Sequence, residues 1–276
     1  MGVWIMAGVT FREAARKKVL WMALVAGAGF LTLFGTGLHF QVKDLASQSI
    51  NPVLRREIMN TMLTMGLYAV DLLAVLMTIL TSVDTLSGEI TSGTIQAVAT
   101  KPVSRWQVLL GKWFGFVAMI TTYIIIMVGG VNAVTYFIGG VTARHLLRGL
   151  VFMWMETLVL LSLTFVFGTY FSTITSGVLA LGLHGIAFIG GWIEQFGAIT
   201  HTQRAIDVGI VASILIPSEA LWRRAAFEMQ SPLASAMRMS PFSSVSVPSL
   251  IMVGYAGLYI LAALLLAVRS FSQRDL

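Results

Sequence analysis

The chain has no cysteine among its 276 residues. That excludes disulfides, zinc–thiolate centres, iron–sulfur clusters and thiol nucleophiles, and it leaves the redox compartment unread. Charge is scarce as well. Asp, Glu, Lys and Arg together make up 11% of the chain, against about 25% in a typical soluble domain. No Gly-x-x-x-x-Gly-Lys-Ser/Thr loop is present to cradle a nucleotide's phosphates. Gly-x-Ser-x-Gly, His-Glu-x-x-His and paired intramembrane aspartates, which a membrane hydrolase would need, are missing too. What is abundant is apolar surface: 57% of residues are hydrophobic and the mean hydropathy is +0.86. This places the chain in the membrane class. The net charge of +6 then reads as a topology signal and an attraction to anionic lipid headgroups, not as a nucleic-acid surface.

A helix needs roughly 20 mostly apolar residues to cross a bilayer. Because lipid cannot satisfy free backbone N–H and C=O groups, spanning segments of this length must be helical. Six segments qualify, at about 19–38, 60–83, 113–138, 150–170, 177–197 and 249–268. They predict an all-α polytopic protein forming a single transmembrane domain over 1–276. A basic stretch followed by an apolar run resembles a signal peptide, but the run from Val19 to Leu38 has spanning length and is read as a retained span. The 18 basic residues divide nine and nine between the two sides. The cluster Arg16-Lys17-Lys18 directly abuts the first span, and the first span usually dominates orientation. Both termini are therefore expected on the cytoplasmic side of the cell membrane.

Three segments do not span. Residues 3–18 place Trp4, Ala7, Phe11 and Ala14 or Ala15 at helical spacing opposite Arg12, Arg16 and Lys17, the pattern of a helix lying on the inner membrane surface. Thr10 and Glu13 match a helix-start pair, which would begin that helix later. Residues 198–248 form an outer amphipathic region. Within it the run 208–216 is too short to cross and is expected at the interface or re-entering partway. Residues 219–230 are read as a second interfacial helix, with Leu221, Trp222, Ala225 and Met229 on one side and the i,i+4 pairs Glu219–Arg223 and Arg224–Glu228 on the other.

The third segment, 84–104 with the residues that follow, is the most informative. Glu89 is expected near the start of a short helix, where the positive end of the helix dipole suits it. Ile90, Thr94, Ala97 and Val98 give that helix a weakly apolar face. Pro102 disfavours helix at Lys101 and should end it. Ser104 and Gln107 then match a capping box before the apolar run Val108–Leu110, so the third span should start near Arg105. From the residues alone, this stretch reads either as a solvated loop or as a compact helix that contacts a soluble partner.

The stretch resembles the ABC-2 type permease family, the membrane subunits of type V ABC exporters. Glu89, Gly93-Thr94, Pro102-Val103-Ser104-Arg105 and Gly111-Lys112 occur in the family's order and spacing. Residues 10–20 look like the family's interface helix entering span one, and 255–276 like its last span ending in Phe and Arg-Asp-Leu. Lys101-Pro102-Val103-Ser104-Arg105 leans toward the subgroup that holds nitrous oxide reductase maturation and sodium or multidrug export permeases. The resemblance implies a permease subunit paired with a second copy or a related permease, surrounded by membrane lipids and docked on a separate ABC ATP-binding subunit that carries the ATP and Mg. The helix around 88–100 would be the coupling helix. Glu89, Gly93, Thr94, Lys101, Pro102, Arg105, Arg12 and Arg16 would form the ATPase-coupling surface. No cofactor, metal or catalytic residue is assigned to this chain, and no nucleic-acid partner.

Asp71 and Glu156 lie inside spans two and four. A charge at mid-bilayer costs about 2.5–3.5 kcal/mol on insertion scales, so such residues face the bundle or a cavity. They are read as candidate contacts with a proton, cation or substrate in a pathway, or as a helix–helix hydrogen bond. His184 is read as an interhelical contact and Glu194 as interfacial. Met59, Met62 and Met65 recur every three residues. Thioethers select Cu(I), but methionines here are read as gap-fillers. The pairs Gly129-Gly130, Gly139-Gly140 and Gly190-Gly191 are read as close-packing points. A polytopic enzyme acting on lipid, and a non-catalytic assembly factor, are the competing classes.

Overall fold

A computed structural model of the chain describes residues 2–16, 18–48, 50–91, 104–233 and 246–273, except for the side chains of 19, 86 and 89–91. The described residues form helices and no strands. In chain order they are α1 (Gly2–Arg16), α2 (Lys18–Ser47), α3 (Pro52–Ser82), α4 (Asp84–Thr91), α5 (Arg105–Gly139), α6 (Leu146–Tyr170), α7 (Thr173–Thr200), α8 (Gln203–Leu215), α9 (Ser218–Met229) and α10 (Leu250–Gln273). Six of them, α2, α3, α5, α6, α7 and α10, are long and apolar enough to cross a membrane. The fold is the expected all-α polytopic one.

Local chemistry sets several boundaries. Asn51 caps α3 by accepting from the Val53 N–H at 2.9 Å, with Pro52 opening the helix. Gly140, at φ 68°, closes α5 in the left-handed conformation that only glycine adopts freely. The third crossing begins at Arg105, where Pro102 and Ser104 placed it. The capping box does not form, however. Ser104's hydroxyl makes no cap bond, and its carbonyl instead accepts from Gln107 and Val108 at 2.9 and 3.3 Å.

Burial ranks the crossings. In the most apolar stretches of α3 and α6, 61% of residues are buried, against 6% in α2 and 22% in α10. α3, α5 and α6 therefore form the centre, and α2 and α10 line its outside. Neighbouring crossings alternate in direction. At one end, the near end, α3 runs into α4, α5 begins, α6 turns into α7, and α10 finishes. There the Ser87 and Thr173 hydroxyls bond at 2.9 Å, and Arg105 donates to the Ser272 carbonyl at 3.4 Å. The far end holds the α2–α3 and α5–α6 links and the α7–α8 turn.

α1 lies along α5 through small residues. Ala7, Thr10 and Ala14 are its buried positions, and Ala7 and Thr10 seat on Gly111 and Gly115. Trp4 is 71% exposed, its ring 5.7 Å from that of Phe114. The helix thus presents its small face to the protein and its bulky apolar residues outward. Thr10 sits mid-helix rather than at a helix start, because a second helix packs against it.

The larger departure concerns 203–229. α8 runs back along α7, with Ala205 against Gly197 and Ala212 against Gly190. The chain then turns by 107° into α9. α9 returns to the far end, where Arg144 and His145 donate to the carbonyls of Met229 and Glu228 at 3.2 and 3.3 Å. The pair enters and leaves at the same end, so it is a re-entrant element. α9 is not an interfacial helix. Leu221, Trp222, Ala225 and Met229 are buried, and so are Glu219, Arg223 and Glu228 on the opposite side.

Candidate functional site

The turn between α8 and α9 delivers polar groups into the middle of an apolar bundle. Ser218 opens α9 fully buried, and His184 of α7 meets its hydroxyl at 3.2 Å. Glu219 follows, 5% exposed. Its side chain crosses α7 at Gly191, where a Cβ would stand 2.5 Å from Glu219 Cγ. One turn later Arg223, 2% exposed, grips Glu194 of α7 with both guanidinium nitrogens at 2.9 Å and also donates to Ser213 at 3.2 Å. Ser246 donates to the same Glu194 carboxylate. An ion pair in which both terminal guanidinium nitrogens approach the carboxylate, with one hydroxyl donating to Glu194 and another accepting from Arg223, is the arrangement that makes a buried ion pair tolerable.

Asp71 of α3 and Glu156 of α6 face the same interior. Glu156 is 0% exposed and Asp71 5%, and their carboxyls lie within hydrogen-bonding reach of each other. Glu219 is close enough to interact electrostatically with both. Neither oxygen of Glu156, nor Oδ1 of Asp71, receives a hydrogen-bond donor. Tyr68, one turn from Asp71, packs its ring 5.1 Å from that of Trp222 and closes the cluster on one side. The structure thus brings Asp71 and Glu156 together and adds Glu219, which the sequence placed on a surface.

Glu194 is not interfacial, since its partner holds it inside. Two signals pointed inward: the short apolar run 208–216 just before Pro217, and the glycines at 190, 197 and 209. His184 makes the interhelical contact expected of it. Met59 packs over Gly139, its Sδ 3.1 Å from where a Cβ would be, and Met62 lies in the same apolar cluster with Leu38 and Val141.

The residues assigned to ATPase coupling gather less completely. Arg12, Arg16 and Arg105 are placed; Arg12 and Arg16 are exposed, and Arg105 is half-buried at the near end. Glu89 falls six residues into α4, which starts at Asp84, so it does not sit at the helix start; Asp84 fills the first turn. Gly93, Thr94, Lys101 and Pro102 lie outside the described residues. α4 itself is anchored to the crossings. Beyond the Ser87–Thr173 bond, Thr173 donates to Asp84 at 3.4 Å, and just above α4 Ser82 and Thr164 bond at 2.8 Å, joining α3 to α6.

The model of the family described as ABC-2 family transporter protein matches residues 4–276, from the first turn of α1 to the end of the chain. No curated protein matches the sequence. Six apolar crossings, the re-entrant pair and the short near-end helix all fall inside the matched span. The chain belongs to the ABC-2 transporter family, the membrane permease components of ABC transporters.

Proposed function

We propose that this permease couples ATP hydrolysis on a separate ATP-binding subunit to export or mechanical work across the cell membrane. The family implies partnership with such a subunit, and the sequence has no phosphate-binding loop of its own. The observation that carries the reading is the fixing of α4 at the near end against α6 and the start of α7. A short helix tied by Ser87 and Asp84 to the start of α7 passes a push directly to the crossings. α4 and the residues after it receive that push, with Glu89, Gly93, Thr94, Lys101 and Pro102 at the contact and Arg12, Arg16 and Arg105 beside it. The working unit contains a second permease copy, and both termini face the cytoplasm. Asp71 and Glu156 lie on the route along which the crossings rearrange.

The test is co-purification with the ATP-binding subunit and measurement of its ATPase rate. Glu89→Lys and Arg105→Glu should weaken the complex and abolish the permease's effect on the rate. A complex and a rate that neither substitution changes would reject the coupling surface. Transport indifferent to Asp71→Asn would remove Asp71 from the route.

A further inference from the structure

We propose that Asp71, Glu156 and Glu219 form a proton-binding site inside the membrane, completed by the re-entrant helix α9. The three carboxyls come from three separate elements, α3, α6 and α9, and are 5%, 0% and 5% exposed. An ionised carboxylate only accepts hydrogen bonds. Asp71 and Glu156, facing each other, therefore cannot satisfy one another unless a proton lies between them. Both oxygens of the fully buried Glu156 lack a donor and point into this cluster. They mark the place where a proton is required.

Among the described residues, Arg223 is the basic side chain that acts on the cluster, through Glu219, and no basic group acts on Asp71 or Glu156. α7 contributes His184, which is engaged with Ser218, and Glu194. α9 contributes Arg223, whose two terminal nitrogens are bound to Glu194. α3 contributes Tyr68, whose hydroxyl is uncharged. Arg223 thus serves Glu194, which holds its terminal nitrogens, and Glu219, and it leaves Asp71 and Glu156 without a counter-charge. In a low-dielectric interior, unpaired charges of like sign this close repel strongly. Protons are the ligand that removes this repulsion without extra coordinating groups. A metal cation fits less well, because Glu219 acts on the Asp71–Glu156 pair through its charge and, among the described residues, no three acidic or imidazole groups stand close enough together to ligate one ion.

The site is also built to change. Glu219 sits one residue after α9 begins, just beyond Pro217 and the 107° turn. Any movement that draws α9 away from α3 and α6 separates the third carboxyl from the other two and changes how many protons the cluster holds. Proton uptake and release are thereby tied to the position of the re-entrant helix. The inference needs the chain to span a membrane but does not depend on the ATP-coupling surface.

Infrared difference spectroscopy of the full chain in lipid nanodiscs, without any ATP-binding subunit, tests it directly. At neutral pH the wild-type protein should show a protonated carboxyl C=O stretch that downshifts in D2O and is lost as pH is raised. Glu156→Gln and Asp71→Asn should each remove most of that band, and Glu219→Gln should shift it. Titration with sodium or potassium at constant pH should leave it unchanged. The wild-type pH titration stands by itself if a variant fails to fold. Absence of such a band in the wild type, or its retention in all three folded variants, would overturn the proposal. Bleaching of the band by sodium or potassium would assign the site to a metal cation and would overturn it equally.

Discussion

Gly111 of α5 lies directly against Met6 of α1: a Cβ added at Gly111 would stand 2.4 Å from the Met6 Cβ and 2.9 Å from the Val3 carbonyl oxygen. One turn on, a Cβ added at Gly115 would stand 2.8 Å from the Thr10 Cβ and 2.9 Å from the Ala7 carbonyl oxygen. Two backbones in contact over a full turn leave no flexible side chain to move aside. This is the small-xxx-small geometry by which helices pack in lipid.

Gly111→Leu should therefore lift α1 from α5, at a cost of about 1–3 kcal/mol for overpacking. Gly8→Ala is the matched control, because nothing lies within 4 Å of its added Cβ. Alanine is favoured over glycine by about 0.8–1.0 kcal/mol within a helix, so that variant should be neutral or slightly more stable. Thermal unfolding of both in detergent checks the pair. If the permease passes force through α1, Gly111→Leu should also reduce its effect on the partner's ATPase rate, and Gly8→Ala should not.

The Arg223–Glu194 pair gives a second expectation. Removing the guanidinium strands a buried carboxylate with only the Ser246 hydroxyl to stabilise it. Breaking a buried pair from one side costs about 3–5 kcal/mol. Arg223→Ala should lower the unfolding midpoint sharply. The double variant Arg223→Met, Glu194→Leu should recover much of the loss, because no uncompensated charge remains. Arg223→Lys should fall between, since an ammonium cannot hold both carboxylate oxygens in the same fork. A double variant as unstable as Arg223→Ala would show that packing, not charge, fixes α9.

These residues also mark how far the sequence can be read. The crossings were legible because lipid forbids unpaired backbone over about 20 apolar residues, a constraint any single segment reveals. The start of α5 was legible from Ser104 and Gln107 ahead of an apolar run, although the capping box read there does not form and the Ser104 carbonyl serves the first turn instead. α9 was not. Glu219, Arg223, Arg224 and Glu228 have the spacing of a solvated helix face, and Arg224–Glu228 does pair at 2.7 Å. Arg223's true partner is 29 residues away on α7, and a long-range pair leaves no local periodicity. The trace it does leave is in the glycines that accommodate it: Gly191 under Glu219, and Gly209 against Glu194 with a Cβ distance of 2.3 Å. Asp71 and Glu156 could be suspected from their depth in the spans, but their convergence depends on the packing of α3 against α6.

Gly191 is for this reason a positioning residue for the carboxyl cluster. A methyl group there would stand 2.5 Å from Glu219 Cγ, and a glutamate side chain can swing away. Gly191→Ala should leave unfolding within about 1 kcal/mol of wild type, as methyl additions met by a flexible side chain do. It should nevertheless reproduce the infrared shift of Glu219→Gln, because the third carboxyl leaves its place. A spectrum identical to wild type would mean that Glu219 does not depend on α7 for its position.

The absence of cysteine makes orientation directly measurable. Ser47 is exposed at the far end of α2, and Ser104 is exposed just before α5 at the near end, with its hydroxyl free of any capping role. Replacing either by cysteine gives a single labelled site on a background with none. With the near end cytoplasmic, Ser47→Cys should react with a membrane-impermeant maleimide in intact cells, and Ser104→Cys only after the membrane is opened. Ser272→Cys, beside Arg105, should behave like Ser104→Cys, because the two ends meet at one surface. The reverse pattern would put α4 and α1 on the side away from cellular ATP. No ATP-binding subunit in the cytoplasm could then push them, and the coupling surface would have to be sought among the far-end links, where α9 meets the start of α6.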